Sequence, residues 1–445
     1  MADHIVDRVR SAGVVGAGGA GFPTHVKLAA KVDTVIANGA ECEPLLHADR
    51  HLMTRHPDEI LRGLSLAMEA TGATRGIVAL KAAYHDARAG LEAALPRYKN
   101  VTLCLLGSYY PAGDEFILVY EATGRKVPEG GIPLEVGAVV NNVGTLYNVA
   151  RAQDGQPVTH RYMTVTGEVK SPATLRLPIG VNFAQVVEWV GGYTKPVEDL
   201  ALVAGGAMMG RVVTPDDVVT KTTGGLLVLP KDNVVVQHMT RPLNNAVRRG
   251  RSTCDQCRDC TDLCPRYLLG HALQPHDIMR NLNYGLTFPT EIVTAAVLCC
   301  ECRLCEAYAC PLELSPIAYY RAVKSQLRAA GWKNVTHRRK DYEPHPFFDF
   351  RRVPVSRLID KLGLTKYKNY DVPLDERDLV PPSVCIPLRQ HTGVPAKPVV
   401  RVGDRVKVGD LVAEIPQGAL GANVHASIAG KVSEVTEEYI RVDSC

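Results

Sequence analysis

Nine of the 13 cysteines fall between Cys254 and Cys310, and their spacing carries chemistry. The first run, Cys254-Asp-Gln-Cys257-Arg-Asp-Cys260-Thr-Asp-Leu-Cys264-Pro265, reads C-x2-C-x2-C-x3-C-P. With that spacing three thiolates wrap one 4Fe–4S cubane, and the fourth, set before a proline, serves a second cluster. The second run, Cys299-Cys300-Glu301-Cys302-Arg303-Leu304-Cys305, reaches Cys310-Pro311 with one residue more than the standard pattern. By two-cluster logic Cys254, Cys257, Cys260 and Cys310 hold one cluster, and Cys299, Cys302, Cys305 and Cys264 the other. Cys300 is then spare, although the extra residue leaves both Cys299 and Cys300 open as first ligand. A zinc site is the competing reading. Zinc takes four ligands per ion, usually as two pairs across a longer loop, and two runs of four with trailing Cys-Pro fit it less well. A disulfide framework would be short and secreted, whereas this chain has 445 residues and clusters its thiols. Cys42, Cys104, Cys385 and Cys445 read as small buried or terminal thiols.

Cubanes move one electron at a time, so a donor site is needed upstream. Gly16-Ala17-Gly18-Gly19-Ala20-Gly21-Phe22-Pro23-Thr24-His25-Val26-Lys27 is dense in glycine. Without Cβ atoms, backbone there can approach a flat or phosphorylated ligand, and a nearby lysine suits a phosphate. Gly16, Gly18 and Gly21 match G-x-G-x-x-G only formally, because too short a segment precedes them for a first Rossmann strand. From the residues alone, ligand binding and a tight structural turn both stay open.

These groups need elements to position them. Residues 1–155 alternate apolar strands (DTVIANGAE, RGIVALKA) with an amphipathic helix, EILRGLSLAMEATG, ended by Gly72, and read as an α/β unit. Residues 156–240 read as a small mixed domain, with a hairpin over RYMTVTGEVKSPATLRLPIG, a helix over FAQVVEWVGG and strands LALVAGG and GLLVLP. Residues 245–335 set the cysteine runs between helices, and residues 336–382 form a Pro-rich, basic-aromatic linker with the helix VSRLIDKLGL. The aromatics of HRRKDYEPHPFFDFRR are expected to wrap a neighbouring domain while its charges stay solvated. Residues 383–445 are short strands with Val-Gly-Asp turns, an all-β module. The fold class is therefore multidomain α/β and α+β.

Composition narrows the partners. Lys plus Arg is 51 and Asp plus Glu 47, a net charge of +4 that is too balanced to argue for nucleic acid. MADHIVDRVRSAG has no apolar core, so no secretory signal is expected, and no stretch nears 18 uncharged apolar residues, so direct membrane insertion is not expected either. Clustered thiols in such a chain point to a cytoplasmic location.

Four ordered segments resemble one superfamily. The glycine loop, Asn38-Gly-Ala-Glu41-Cys-Glu43-Pro44, Tyr110-Pro-Ala-Gly113-Asp114-Glu115 and Val140-Asn141-Asn142-Val-Gly-Thr145 are similar to the NADH-binding flavoprotein subunit of respiratory complex I and to RnfC subunits of ferredoxin:NAD oxidoreductases. The resemblance implies that Gly16, Gly18, Lys27, Asn38, Glu41, Gly113, Asn141, Asn142 and Thr145 line FMN. It implies that Phe22, Glu43 and Glu115 contact the nicotinamide nucleotide, with Glu43 and Glu115 in catalytic roles. Ala17 stands where complex I has an arginine, and Ala40 where it has an aspartate. Residues 162–230 resemble the SLBB (β-grasp-like) domain of this superfamily, and the tail, with Gln390-His391-Thr392-Gly393 and Val424-His425-Ala426-Ser427, resembles the RnfC barrel-sandwich module. No lysine lies between Lys407 and Lys431, which disfavours a biotinyl or lipoyl arm and favours packing or docking.

In RnfC that module is N-terminal; here it is C-terminal. That order, and Cys-Cys-Glu-Cys-Arg-Leu-Cys-Glu-Ala-Tyr-Ala-Cys-Pro, resemble the cobalamin reductases of propanediol-utilisation microcompartments over nearly the whole chain. The resemblance implies electron flow from NADH through FMN and two 4Fe–4S clusters to a corrinoid, reactivating cobalamin for a diol dehydratase. Shell protein and adenosyltransferase are implied partners, and a microcompartment interior the implied location. No Asp-x-His-x-x-Gly corrinoid motif is present, so the corrinoid is expected as substrate or as a partner's cofactor. An RnfC-type input subunit and a flavin-free relay are the alternatives. His25, His47 and His51 are expected to be surface or packing residues rather than a proton relay.

Overall fold

The computed structural model of the chain describes residues 2–286 and 290–444. Its first sheet is four-stranded and parallel, ordered Val101–Leu106, Arg75–Lys81, Thr34–Gly39, Ala138–Asn142. Ile36, Ile77, Val78 and Ala138 are fully buried, as expected of a parallel sheet covered on both faces. The helix Pro57–Thr71 opens with proline, Asp58 and Glu59, and stops at Gly72, whose left-handed φ of 74° suits glycine. It crosses the helix Val143–Gln153 at Gly63, where a Cβ would overlap the Leu146 carbonyl. Asn38 and Asn142 are register partners at the C-terminal ends of adjacent parallel strands, the edge at which such sheets bind ligands.

The glycine loop follows a helix, Ala2–Ser11, so no Rossmann strand precedes it. A bridge between Val15 and Pro23 and a hydrogen bond from the Gly16 amide to the Phe22 carbonyl (2.9 Å) close its base.

The second sheet is six-stranded. The antiparallel hairpin His160–Gly167/Ala173–Pro178 is joined by Gly225–Pro230, which runs parallel to the first of these strands; Leu200–Ala204 and Arg211–Val213 complete one side. Leu374–Asp375, from the linker, extends the other edge.

Helices Leu243–Thr253, Pro275–Tyr284 and Pro316–Ala329 brace the cysteine runs. The two runs share backbone geometry. Gln256 and Arg258 flank Cys257 with φ of 60° and 72°, and Glu301 and Arg303 flank Cys302 with φ of 60° and 62°. In this register Cys299 corresponds to Cys254, and Cys300 to Asp255. The extra residue before Cys310 is absorbed in a π-helical turn, Cys305–Ala309, the usual form of a one-residue helix insertion.

The linker wraps as expected through Tyr342 and Phe348, which are buried, while Phe347 and Phe350 remain exposed. Its arginines stay partly exposed, as expected, and also pair there. Arg338 meets Glu135 (2.9 Å), Arg339 meets Glu129 (2.7 Å), Arg351 meets Asp262 (3.2 Å) and Arg352 meets Glu121 (2.5 Å). The acidic partners come from two other parts of the chain, which composition of the linker alone does not reveal.

The tail forms two facing sheets, Ser383–Pro387/Tyr439–Ser444/Gly430–Val435/Arg405–Val406 and Lys397–Pro398/Leu411–Glu414/Val424–His425. It seats on the glycine loop: Thr392 donates from its amide to the Gly21 carbonyl (3.0 Å) and from its hydroxyl to the Ala20 carbonyl (2.9 Å). Lys221 joins the three parts, with Nζ donating to Gly13 (2.7 Å) and Asn423 (2.6 Å) carbonyls. Cys445 lies outside the described residues.

Candidate functional site

A cleft of about 650 Å³, open at its mouth, lies between the first sheet, the SLBB-like sheet and the second cysteine run. Of the residues assigned to nucleotide binding, Gly18, Asn38, Glu41, Glu43, Gly113, Glu115 and Asn142 line it. Asn38 Nδ2 donates to the Gly113 carbonyl (3.0 Å), and a Cβ on Gly113 would sit 2.9 Å from the Ala40 carbonyl, so the wall is drawn tight there. Asn142 caps the helix Val143–Gln153 through Gly144 N–H (2.8 Å) and donates to Asp49 Oδ2 (2.7 Å).

The others stand behind this wall. The Thr145 hydroxyl accepts from the Ala17 amide (2.8 Å) and so orients the glycine loop from below. Lys27 Nζ bridges Glu115 Oε1 (3.1 Å) and the Val140 carbonyl (3.0 Å). Asn141 is buried, and its Nδ2 has no partner among the described residues. Gly16 and Phe22 form the closed base of the loop. Both Glu43 oxygens are already taken, by the Met208 and Met209 amides (2.9 Å each), so this carboxylate ties the SLBB-like loop to the cleft. Burial nevertheless pushes its pKa up to about 7.

Two cleft residues escaped sequence reasoning. Arg161, on the SLBB-like hairpin, donates to the Ala17 carbonyl (2.8 Å) and the Thr223 carbonyl (2.9 Å). Asp49 faces Glu41, and burial with the neighbouring Asp49 charge pushes Glu41 up to about 8. Neither has a spacing signal: one lies in another domain and the other eight positions past Glu41. Burial lowers the pKa of His25, His47 and His51, and His51 packs against the linker through the Val372 carbonyl (2.8 Å). Cys42, half-buried, lines the cleft with its thiol pushed up to about 12 by desolvation.

The cysteines gather around two hollows. The outer one is lined by Cys254, Cys257, Cys260 and Cys310; the inner one by Cys264, Cys299, Cys302 and Cys305, with Cys300 beside them. Among the described residues no three His, Cys, Asp or Glu side chains are arranged to hold a single metal ion. Four soft thiolates about each of two wider hollows suit a cubane. Cys257 is exposed, whereas Cys264, Cys302 and Cys305 are buried. Sulfur in corresponding places accepts hydrogen bonds: Cys254 from Gln256 Nε2 (3.2 Å) and Cys299 from the Glu301 amide (3.3 Å). Cys300 and Cys302 line both the inner hollow and the cleft, and the Tyr110 hydroxyl donates to the Cys302 carbonyl (3.0 Å). One wall therefore serves the nucleotide cleft on one side and the inner cysteines on the other.

Residues 9–151 match the Nuo51 FMN-binding domain family, 162–212 the SLBB domain, 253–315 the 4Fe-4S dicluster domain and 365–444 the RnfC barrel sandwich hybrid domain. The chain is 46% identical to cobalamin reductase PduS of Citrobacter freundii over 443 residues, 99% of this chain and 96% of that protein. It is 45% identical to cobalamin reductase PduS of Salmonella typhimurium, with the same shares covered. A component of the Na(+)-translocating ferredoxin:NAD(+) oxidoreductase complex of Acetobacterium woodii is 39% identical over 60% of this chain and 59% of that protein. Among the described residues no helix is long and apolar enough to cross a membrane.

Proposed function

The chain belongs to the PduS cobalamin reductase family, and from that premise we propose that it takes electrons from NADH and delivers them singly, through two 4Fe–4S clusters, to a corrinoid. It is an oxidoreductase with an FMN-binding domain and iron–sulfur ligation. FMN, when bound, supplies the exchange between paired and single electrons. Gly18, Asn38, Glu41, Gly113 and Asn142 face that group, while Gly16, Lys27, Asn141 and Thr145 hold the backbone and charge behind it. Glu43 and Glu115 serve the nicotinamide side, and Phe22 supports it from the closed base of the glycine loop. Glu43 also keeps the SLBB-like loop closed over the cleft, and Lys27 neutralises Glu115 at the rim.

Cys264, Cys299, Cys302 and Cys305 ligate the inner cluster, and Cys254, Cys257, Cys260 and Cys310 the outer one. Cys299 is the first ligand of its run, because it repeats the backbone position of Cys254 ahead of the two left-handed residues. Electrons pass from the cleft to the inner cluster, then to the outer cluster, whose Cys257 is exposed. The corrinoid is a substrate. The chain works inside a microcompartment, with a shell protein and an adenosyltransferase as partners.

The wall shared by cleft and inner hollow carries this reading. Oxygen-free purification with iron and flavin analysis tests it. About eight irons and about one flavin per chain, both bleached by NADH, are expected. Clusters without flavin would leave an electron relay, and a membrane complex co-purifying with the chain would favour the RnfC-type role. Lys27→Ala and Glu43→Ala should weaken flavin binding or NADH reduction with iron unchanged.

A further inference from the structure

The two hollows differ in more than exposure. Arg266, Arg303 and Tyr320 line the inner one, and are 7%, 5% and 1% exposed. Each keeps a buried polar atom with no hydrogen-bond partner among the described residues: Nε of Arg266, Nε of Arg303 and Oη of Tyr320. Around the outer hollow the corresponding orphan is Gln256 Oε1, an acceptor. Buried donors without acceptors are costly and rare, so three around one hollow mark a missing acceptor.

The arginines are fixed in place. Arg266 Nη2 pairs with Asp114 Oδ2 at 2.8 Å, its guanidinium lies 3.7 Å over the Phe116 ring, and it also reaches the Cys300 sulfur. Arg303 occupies the left-handed position after Cys302, with Glu306 and Glu43 within electrostatic reach. Tyr320, on the helix Pro316–Ala329, lies within reach of Cys264, Cys299, Cys305 and, across the divide, Cys260.

We propose that Arg266, Arg303 and Tyr320 form a donor set toward the inner cluster that raises its reduction potential. The inference rests on the reading that Cys264, Cys299, Cys302 and Cys305 ligate that cluster. One electron from the cleft adds one negative charge to cluster and thiolates; no bond forms or breaks, and no proton moves. Two fixed cations and a hydroxyl, buried where the dielectric is low, favour the more negative state. Their effect is to draw the electron away from the cleft; the arginine at the outer hollow, Arg258, is exposed, and among the described residues no buried donor without a partner lines that hollow.

Redox titration of the oxygen-free holoprotein, followed by electron paramagnetic resonance, tests this. Tyr320→Phe removes only an oxygen without a protein partner. At a fixed poise it should lower the reduced-to-oxidised ratio of one cluster signal at least threefold and leave the other unchanged. Arg303→Gln should lower the same ratio about tenfold, or about 59 mV for a one-electron couple. Full iron with unchanged ratios in both variants overturns the proposal while leaving the cluster ligation intact. So do equal shifts of both signals, or loss of iron from both variants, which would make these residues builders of the hollow. A wild-type protein without iron would instead sink the ligation reading.

Discussion

Replacing Arg161 by methionine keeps the volume of a long side chain and removes its fork. In the structure this guanidinium, 7% exposed, joins the Ala17 carbonyl of the glycine loop to the Thr223 carbonyl of the SLBB-like domain. It is also the cation that faces Asp49 and Glu41. A hydrogen bond from a charged donor contributes about 1.5–3 kcal/mol, so the pair is worth about 3–6 kcal/mol at most. Both carbonyl-bearing residues line an open cleft, where water replaces part of what is lost. A net loss of about 2–3 kcal/mol in the order of the loop is the working figure. If that order is needed to bind flavin, the dissociation constant rises roughly 30- to 150-fold. Fluorescence titration of FMN into flavin-free wild type and Arg161→Met measures it, with iron content as the control on folding. Arg161→Lys, which restores charge without the fork, should fall between the two. An affinity within about threefold of wild type in Arg161→Met would refute the view that the SLBB-like domain holds the flavin loop in shape.

Three further outcomes follow from the packing and the charges. Gly63→Ala places a Cβ against the Leu146 carbonyl at a helix crossing, and at about 3 kcal/mol of overpacking it should lower the melting temperature by about 3 °C by calorimetry if the whole chain melts as one unit, and by about 6–12 °C if the first domain melts by itself. Cys299→Ala should lose about half the iron, and Cys300→Ala none, by iron assay of oxygen-free protein; the reverse pattern would reassign the first ligand. Glu168 accepts hydrogen bonds from Thr194 (2.5 Å), Lys366 (2.6 Å) and Tyr367 (2.8 Å). Burial pushes its carboxyl up, but these bonds outweigh it and hold the pKa at about 2, below the ordinary 4.5. The folded value is the lower one, so this anchor of the linker is complete above about pH 4.5 and fades as pH falls toward 2. Hydrogen-exchange protection factors in residues 364–370, taken relative to the intrinsic rate at each pH, should therefore fall over that window, and in Glu168→Gln they should be low already at neutral pH.

What could be seen in the sequence, and what could not, follows range along the chain. The cysteine partition was visible because cubane ligation is written in spacings of two and three residues, and the hollows divide the thiols in the same way. The four nucleotide segments were visible for a related reason, since three of them end at neighbouring strand ends or the loop above them. The choice between Cys299 and Cys300 stayed open in the sequence, because the register that sets Cys299 opposite Cys254 lies in two left-handed residues and a π-helical turn. Contacts made between domains were invisible. Arg161 reaches Ala17 across 144 positions, Met208 and Met209 occupy Glu43, and Arg338, Arg339 and Arg352 of the linker find acids over 200 residues away, as Arg339 does at Glu129. Periodicity reports which face of an element is apolar, not which distant carbonyl or carboxylate it will meet.

The seat of the tail on the glycine loop has an evolutionary corollary. Gly13, Ala20 and Gly21, near the start of the chain, touch Asn423 and Thr392, near its end. The contact is made by backbone carbonyls of the loop and by Thr392, so it does not depend on which of the two parts comes first along a chain. A module placed ahead of the loop in sequence can therefore meet the same surface, and the two orders of the same parts can be alternative threadings of one architecture.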